Sequence, residues 1–342
     1  MRKLILVGLF ALSFANIFAQ SNELLNLRIE ARGDYQHETI DGDKIHNNSG
    51  FKGKFLNIRM DGNISEEFSY SYRQRLNKPN KDASFFDATD WIYLTYTKKN
   101  WSVSAGKLVV GLGGYEYDRA PIDIYYASEY WNNIPCYQLG ASVAFTTNNK
   151  NDKFVAQICE SPFRKNAGNI ENKEMLAYNV MWYGSHDWFN TIYSVNMIEY
   201  LPEKFINYIV LGHKLNVGDF SMELDIMNRA VSGHAYLGKD MSVMGELMWS
   251  PINCLNIFTH ISYDVNNTNK QGDYCVLPGT EITRAGLGVE FFPIKNSKDV
   301  RLHLNGCYTW GSNNPLGALS DKQTIIDAGV TWKMDLLSFK RK

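Results

Sequence analysis

The chain has 342 residues, a formal net charge of −1 at pH 7, and 13% aromatic residues, with Tyr 20 against Pro 9. Near-neutrality excludes a nucleic-acid partner, since phosphate binding needs a concentrated basic footprint. A Tyr-rich, Pro-poor composition favours strands, and five cysteines without metal-ligand spacing give neither a disulfide framework nor a metal centre.

Residues 1–19 read as a secretory signal. Arg2 and Lys3 form its basic start, Leu4 to Phe14 its apolar stretch, and Ala19 the cleavage point before Gln20. That stretch is too short for a membrane helix, which needs roughly 20 apolar residues. The mature part, residues 20–342, reads as one domain with 33 basic and 36 acidic residues. It holds no further run of helix-spanning length. An exported chain of this kind crosses lipid only as a closed barrel, because every backbone donor and acceptor must pair internally.

Period-two alternation recurs along the whole mature part. Leu56, Ile58 and Met60 share one face against Asn57, Arg59 and Asp61; Phe220, Met222, Leu224 and Ile226 stand against Ser221, Glu223 and Asp225. Near the end, Ala328, Val330, Trp332 and Met334 oppose Asp327, Thr331, Lys333 and Asp335. Strands are expected near 25–35, 52–62, 66–76, 88–98, 100–108, 137–147, 152–160, 174–184, 189–199, 206–216, 218–229, 240–250, 254–264, 281–292, 299–309 and 325–338.

The gaps between them alternate. Long ones are His37–Gly50, Asn77–Asp87, Val109–Pro135, Ser161–Lys173, Asn266–Thr280 and Gly311–Thr324. Short ones include Gly62–Glu66, Lys98–Asn100, Asn148–Asn151, Gly184–Trp188 and Pro251–Cys254. About sixteen strands, with loops sorted by parity, predict an all-β fold: a transmembrane antiparallel up-and-down β-barrel with both termini on the short-turn, periplasmic side. A secreted β-sandwich has no reason to sort its loops. Tyr70, Tyr72, Trp91, Tyr93, Trp182, Tyr183, Trp249, Tyr308, Trp310 and Trp332 lie near strand ends and are expected in the aromatic girdles.

The longest gap, 109–135, is dense in Tyr, Trp and Ile, so it is expected to pack on the inner wall. It carries Glu116, Asp118, Asp123 and Glu129 against Arg119 alone. Parity points Arg28, Arg32, Arg59, Arg73 and Arg75 inward, with Glu30, Asp34 and Asp61. Two readings follow: a basic wall facing an acidic loop across a transverse field, or charges that pair between neighbouring strands. Catalysis finds little support. His260 and His303 sit on polar faces near Asp264 and Cys307, but no H-x-x-x-H or G-x-S-x-G occurs. Gly111-Leu112-Gly113-Gly114 lacks the helix-starting G-K-[ST] of a phosphate cradle.

The run from Trp101 to Tyr117 (WSVSAGKLVVGLGGYEY), then Pro121-Ile122-Asp123 and Tyr137-Gln138-Leu139-Gly140, resembles the porin O and P family, the phosphate-selective porin group, in its Bacteroidetes-type branch. Tyr72-Arg73-Gln74-Arg75-Leu76-Asn77-Lys78 and Asp90-Trp91-Ile92-Tyr93-Leu94-Thr95-Tyr96 agree. The resemblance implies a sixteen-stranded barrel in outer-membrane lipid, usually a homotrimer, whose third loop folds inward to narrow a pore. Lys107, Gly111, Gly113, Gly114 and Glu116 match its motif. The function implied is passive diffusion of small hydrophilic solutes or ions, without cofactor, metal or catalytic residue. Phosphate and other anions are candidate solutes, but an acidic third loop departs from the basic lining such selectivity needs, so weak selectivity is expected. Expected pore-lining residues are Arg28, Arg59, Arg73, Arg75, Lys107, Glu116, Asp118, Arg119, Asp123 and Glu129. The competing readings are an outer-membrane barrel enzyme, lipase-like or protease-like, and a secreted β-sandwich binding module.

Overall fold

The computed structural model describes residues 23–77, 84–168, 174–231, 237–268, 271–312 and 322–340. The expected signal segment lies outside them. Sixteen long strands follow in order. The first eight are β1 (Glu23–Ile40), β2 (Gly50–Asn63), β3 (Phe68–Arg75), β4 (Thr89–Lys98), β5 (Trp101–Val109), β6 (Tyr137–Thr146), β7 (Asp152–Glu160) and β8 (Leu176–His186). The rest are β9 (Phe189–Leu201), β10 (Lys204–Val217), β11 (Phe220–Val231), β12 (Asp240–Ile252), β13 (Leu255–Asn266), β14 (Glu281–Phe291), β15 (Val300–Ser312) and β16 (Gln323–Lys340).

Each strand pairs antiparallel with the next, and β16 returns to β1 from Glu23↔Lys340 to Ile40↔Gln323. The sheet closes on itself and leaves no edge, the condition for crossing lipid with strands. The alternation explains the orientation. Outward positions are apolar and bare: Val195 is 60% exposed and Leu287 68%. Inward positions are polar and covered, as with Asn179, Asn196 and Asp264. This reverses the burial rule of water-soluble domains and suits a barrel whose outer solvent is hydrocarbon.

All sixteen expected strands are present, with shifted ends. The largest shift is at β1, which continues through the expected loop His37–Gly50 as far as Ile40. There Asp41-Gly42 turns the chain into a two-residue pairing, Asp43–Lys44. The reason is the long partner: β1 and β16 pair along 18 residues each and rise above the neighbouring strands. Two connections break the parity rule. Strands β9 and β10 are joined on the long-loop side by Pro202-Glu203 alone, and β14 and β15 on the short side by residues 292–299.

Aromatic rings face lipid at the short-turn rim, where Phe68–Tyr96, Trp101–Phe145, Phe154–Trp182 and Phe220–Trp249 pair across strands. Toward the opposite ends, Tyr308 stacks on Trp310, and Tyr35 meets Phe51 edge-on. Three expected girdle residues instead turn inward. Trp91 is buried, donates its indole N–H to Ser71 Oγ at 2.8 Å and lies 4.0 Å beneath the Arg73 guanidinium. Tyr93 shares its parity, and Tyr183 sits under the Lys153 ammonium. Trp91 and Tyr183 each serve a cation on the polar face, which aromatic enrichment alone does not reveal.

Candidate functional site

The connection between β5 and β6 starts at a bend. Gly106 has φ +136°, and a Cβ there would lie 2.3 Å from the Ile92 carbonyl oxygen. After this irregularity the Lys107 ammonium donates to the carbonyl of Phe86 at 2.9 Å. The glycine-rich run then lies flush on the polar face of other strands. Gly111 N–H donates to Gln157 Oε1 at 2.6 Å, Asn196 donates to the Gly111 carbonyl at 2.7 Å, and Gly113 N–H donates to Ser194 Oγ at 2.9 Å. Side chains would prevent this approach: a Cβ on Gly113 would meet Ser194 Oγ at 2.9 Å, and one on Gly212 of β10 would meet Gly114 Cα at 2.9 Å. The glycines that gave the sequence its motif are therefore docking residues.

Two one-turn helices follow, Tyr115–Asp118 and Glu129–Asn133, and each presents its N-terminal amides to a wall carboxylate. Asp225 of β11 accepts from Tyr115 and Glu116 N–H at 2.8 Å each. Asp264 of β13 accepts from Glu129 and Tyr130 N–H at 2.8 and 3.4 Å. First-turn amides have no partner within their own helix, so such bonds satisfy groups that burial would otherwise leave unpaired. Between the helices, Glu116 accepts from Ser128 N–H at 2.9 Å and ties the connection to itself.

Every other charged residue of the connection except Asp118 finds an opposite charge on the wall. Arg119 pairs with Glu223 at 2.6 Å and with Glu246; Glu116 meets His260 at 3.3 Å. Asp123 meets Arg301 at 2.9 Å and Lys333 at 3.3 Å, and Glu129 meets Arg284 at 2.6 Å. Arg32 donates to the Ile124 carbonyl at 2.5 Å, and Tyr125 donates to Glu290 at 2.7 Å. The partners thus come from β11 to β16 and β1. The sequence reading named only the arginines of the first three strands; the cations that meet the loop acids are the inward residues His260, Arg284, Arg301 and Lys333, which strand parity could have identified.

These contacts shift the acids. Burial alone would raise Glu116, but the hydrogen bonds from His260 and Ser128 hold it below the usual carboxylate range. Asp123 is likewise lowered against its burial by Arg301 and Lys333. Among the described residues the Asp118 carboxyl makes no hydrogen bond or ion pair, and burial pushes it up to about 7, with Lys153 nearby opposing.

An apolar cluster completes the packing. Val110, Leu112, Tyr117, Tyr130 and Ile134 meet the inward Ile198, Ile206, Tyr208, Val210 and Met227 of β9 to β11. Phe163, Cys275 and Val276 from two other connections join them. Apolar side chains of the connection therefore cover part of the inward face of that sector.

The first-strand arginines are placed inward by the register, and all are paired: Arg28 with Asp335 at 2.6 Å, Arg32 with Asp34 at 2.7 Å and Arg59 with Asp61 at 2.6 Å. Arg73 and Arg75 share Asp90, at 2.9 and 3.4 Å. Pairing thus describes them better than an unopposed field. His303 meets Asp34 at 3.1 Å and lies 4.7 Å from the Tyr125 ring, while Asp264 is engaged by Ser242 and the second helix. The histidines and their neighbouring carboxylates are wall partners of the connection.

Residues 25–185 match the family model described as phosphate-selective porin O and P. This is an outer-membrane porin. No curated protein matches its sequence. Among solved structures, the anion-selective porin from Comamonas acidovorans aligns with TM-score 0.63 at 10% identity, over 91% of this chain and 100% of that one. A loop-deletion mutant of OmpT, an outer membrane protein of Vibrio cholerae, aligns with TM-score 0.61 at 11% identity, over 92% and 100%. A mutant Rh. blastica porin aligns with TM-score 0.56 at 13% identity, over 91% and 100%. At such identities the likeness is one of fold. The match places the porin with channels of the bacterial outer membrane. Its wall from β2 to β7 carries Lys52, Lys54, Arg59, Arg73, Arg75 and Lys153 on the inward face against Asp61 and Asp90.

Proposed function

We propose that the porin passes small hydrophilic solutes or ions by passive diffusion, and that residues 110–136 lie across its lumen and set the constriction. What supports this is the ring of contacts from that connection to inward side chains on β7, β9, β11 to β16 and β1. A segment outside the barrel could not reach so many inward faces of a closed sheet. Deleting Tyr117–Tyr130 should raise single-channel conductance in a planar bilayer; unchanged conductance in a folded deletion variant would sink the assignment.

Selectivity is read as weak with an anion bias. The loop acids other than Asp118 are matched by wall cations, so they contribute little net negative charge, and the remaining wall of β2 to β7 is basic. Charge near the narrowest point governs ion preference. Phosphate is one anion such a wall admits. The proposed natural state is a homotrimer after removal of residues 1–19, in the Bacteroidetes-type branch that the Trp101–Tyr117 block resembles. A solved neighbour, the OmpT protein of Vibrio cholerae, is described in a trimer form. Crosslinking in membranes and N-terminal sequencing of the purified protein test these two points.

A further inference from the structure

Between the wall and the connection lies a slot of about 180 Å³, lined by Lys54 and Phe55 of β2 and by Ile124, Tyr126, Ala127 and Trp131 of the connection. Arg32 also borders it, but its guanidinium is spent on Asp34 and the Ile124 carbonyl. Lys54 is different. Its ammonium donates to the amide oxygen of Gln36, and the carboxylate that faces it, Asp327, stands beyond ion-pair distance. A half-buried cation beside an apolar, partly aromatic surface is matched by a solute that carries one anionic group on a compact ring. The volume suits one ring, since an apolar cavity of about 150 Å³ accommodates benzene.

We propose that this slot binds a monocyclic carboxylate, its carboxylate on Lys54 and its ring between Phe55 and Trp131. The inference rests on the constriction reading and names the solute class it would retain. An apolar ring is favoured over a sugar acid because few polar groups remain for hydroxyls: Arg32 is engaged, Asn132 donates to the Ala127 carbonyl at 3.5 Å, and the Tyr126 hydroxyl lies against Gly286 of β14. Inorganic phosphate would use Lys54 but gain nothing from the rings.

The test is bilayer recording on the full-length purified protein in dilute KCl, where charges are poorly screened, with benzoate, glucuronate, phosphate and cyclohexanol as probes. Benzoate should interrupt the current at concentrations where the other three do not. Lys54→Gln should weaken that block by about tenfold or more, the effect of a lost charge-assisted hydrogen bond. Trp131→Ala should weaken it as well, with both variants keeping heat-modifiable gel mobility as proof of a folded barrel. Equal block by benzoate and glucuronate, or block indifferent to Lys54→Gln, would overturn the site. A channel that conducts KCl yet ignores benzoate refutes the slot alone, whereas absence of any conductance refutes the porin reading beneath it.

Discussion

Asp225 and Asp264 do the same thing at opposite ends of one connection, each holding the first turn of a short helix to the wall. A hydrogen bond to a charged acceptor contributes about 1.5–3 kcal/mol. Asp225→Ala should therefore free the amides of Tyr115 and Glu116, seen as faster hydrogen exchange there with the barrel amides unchanged. Protection that survives the substitution would mean other contacts hold the helix. Asp118 makes the complementary case. Its carboxyl, pushed up to about 7 by burial, is neutral below that pH and negative above it. Raising the pH from about 6 to about 8 should shift the reversal potential toward cations, and Asp118→Asn should abolish the shift. A wild-type profile flat across this range would place Asp118 away from the ion path. The charges of this site were legible in the sequence, because parity assigns each to a face. Their partners were not: Arg301 meets Asp123 from 178 positions away, a proximity that only barrel closure creates.

At the scale of elements, strands announced themselves by period two and turns by Gly, Asn and Asp, so the sixteen strands were legible nearly to their ends. The connection was legible only as a long, ring-rich segment. Its helices are a single turn each, too short to show a helical period. The role of the glycines emerges from contact: they let backbone lie on backbone, most closely where Gly212 faces Gly114. Gly212→Val would place atoms 2.8 Å from Asp225 Oδ1 and 2.9 Å from Gly114 Cα. Overpacking of this kind costs about 1–3 kcal/mol, directed here at the seat of the first helix. A Cβ there would also lie 2.9 Å from the Ile192 carbonyl oxygen of β9, so folding is checked by heat-modifiable gel mobility, and the folded variant's conductance should rise toward that of the Tyr117–Tyr130 deletion. Wild-type conductance would show that the connection can dock without this contact.

For the molecule as a whole, closure and loop parity were legible, but the division of the lumen was not. Ile198, Ile206, Tyr208 and Val210 blur the polar face of β9 and β10, and only the packed connection explains why apolar residues point inward there. On the proposed reading that sector is filled and the wall of β2 to β7 sets the pore's charge; there Arg73 and Arg75 are two cations on one carboxylate, Asp90. The pair divides into a buried and a more accessible member: Arg73 is 2% exposed and stacked on Trp91, with its other nitrogen bonded to Tyr137 at 2.6 Å, while Arg75 is 25% exposed. Removing Arg73 strips a buried Asp90 of its main partner, and breaking a buried pair by deleting one member costs about 3–5 kcal/mol. Arg73→Ala should therefore chiefly lower the temperature at which the folded gel band is lost. Arg75→Ala leaves the Arg73–Asp90 pair intact and removes the more accessible of the two charges, so it should shift the reversal potential in a KCl gradient toward cations with little change in heat stability. The double substitution, Arg73→Ala with Arg75→Ala, turns a local excess of one positive charge into one of negative charge and should give the larger shift. No shift in Arg75→Ala or in the double variant would mean that ions pass along another part of the wall, and the basic sector would then be structural.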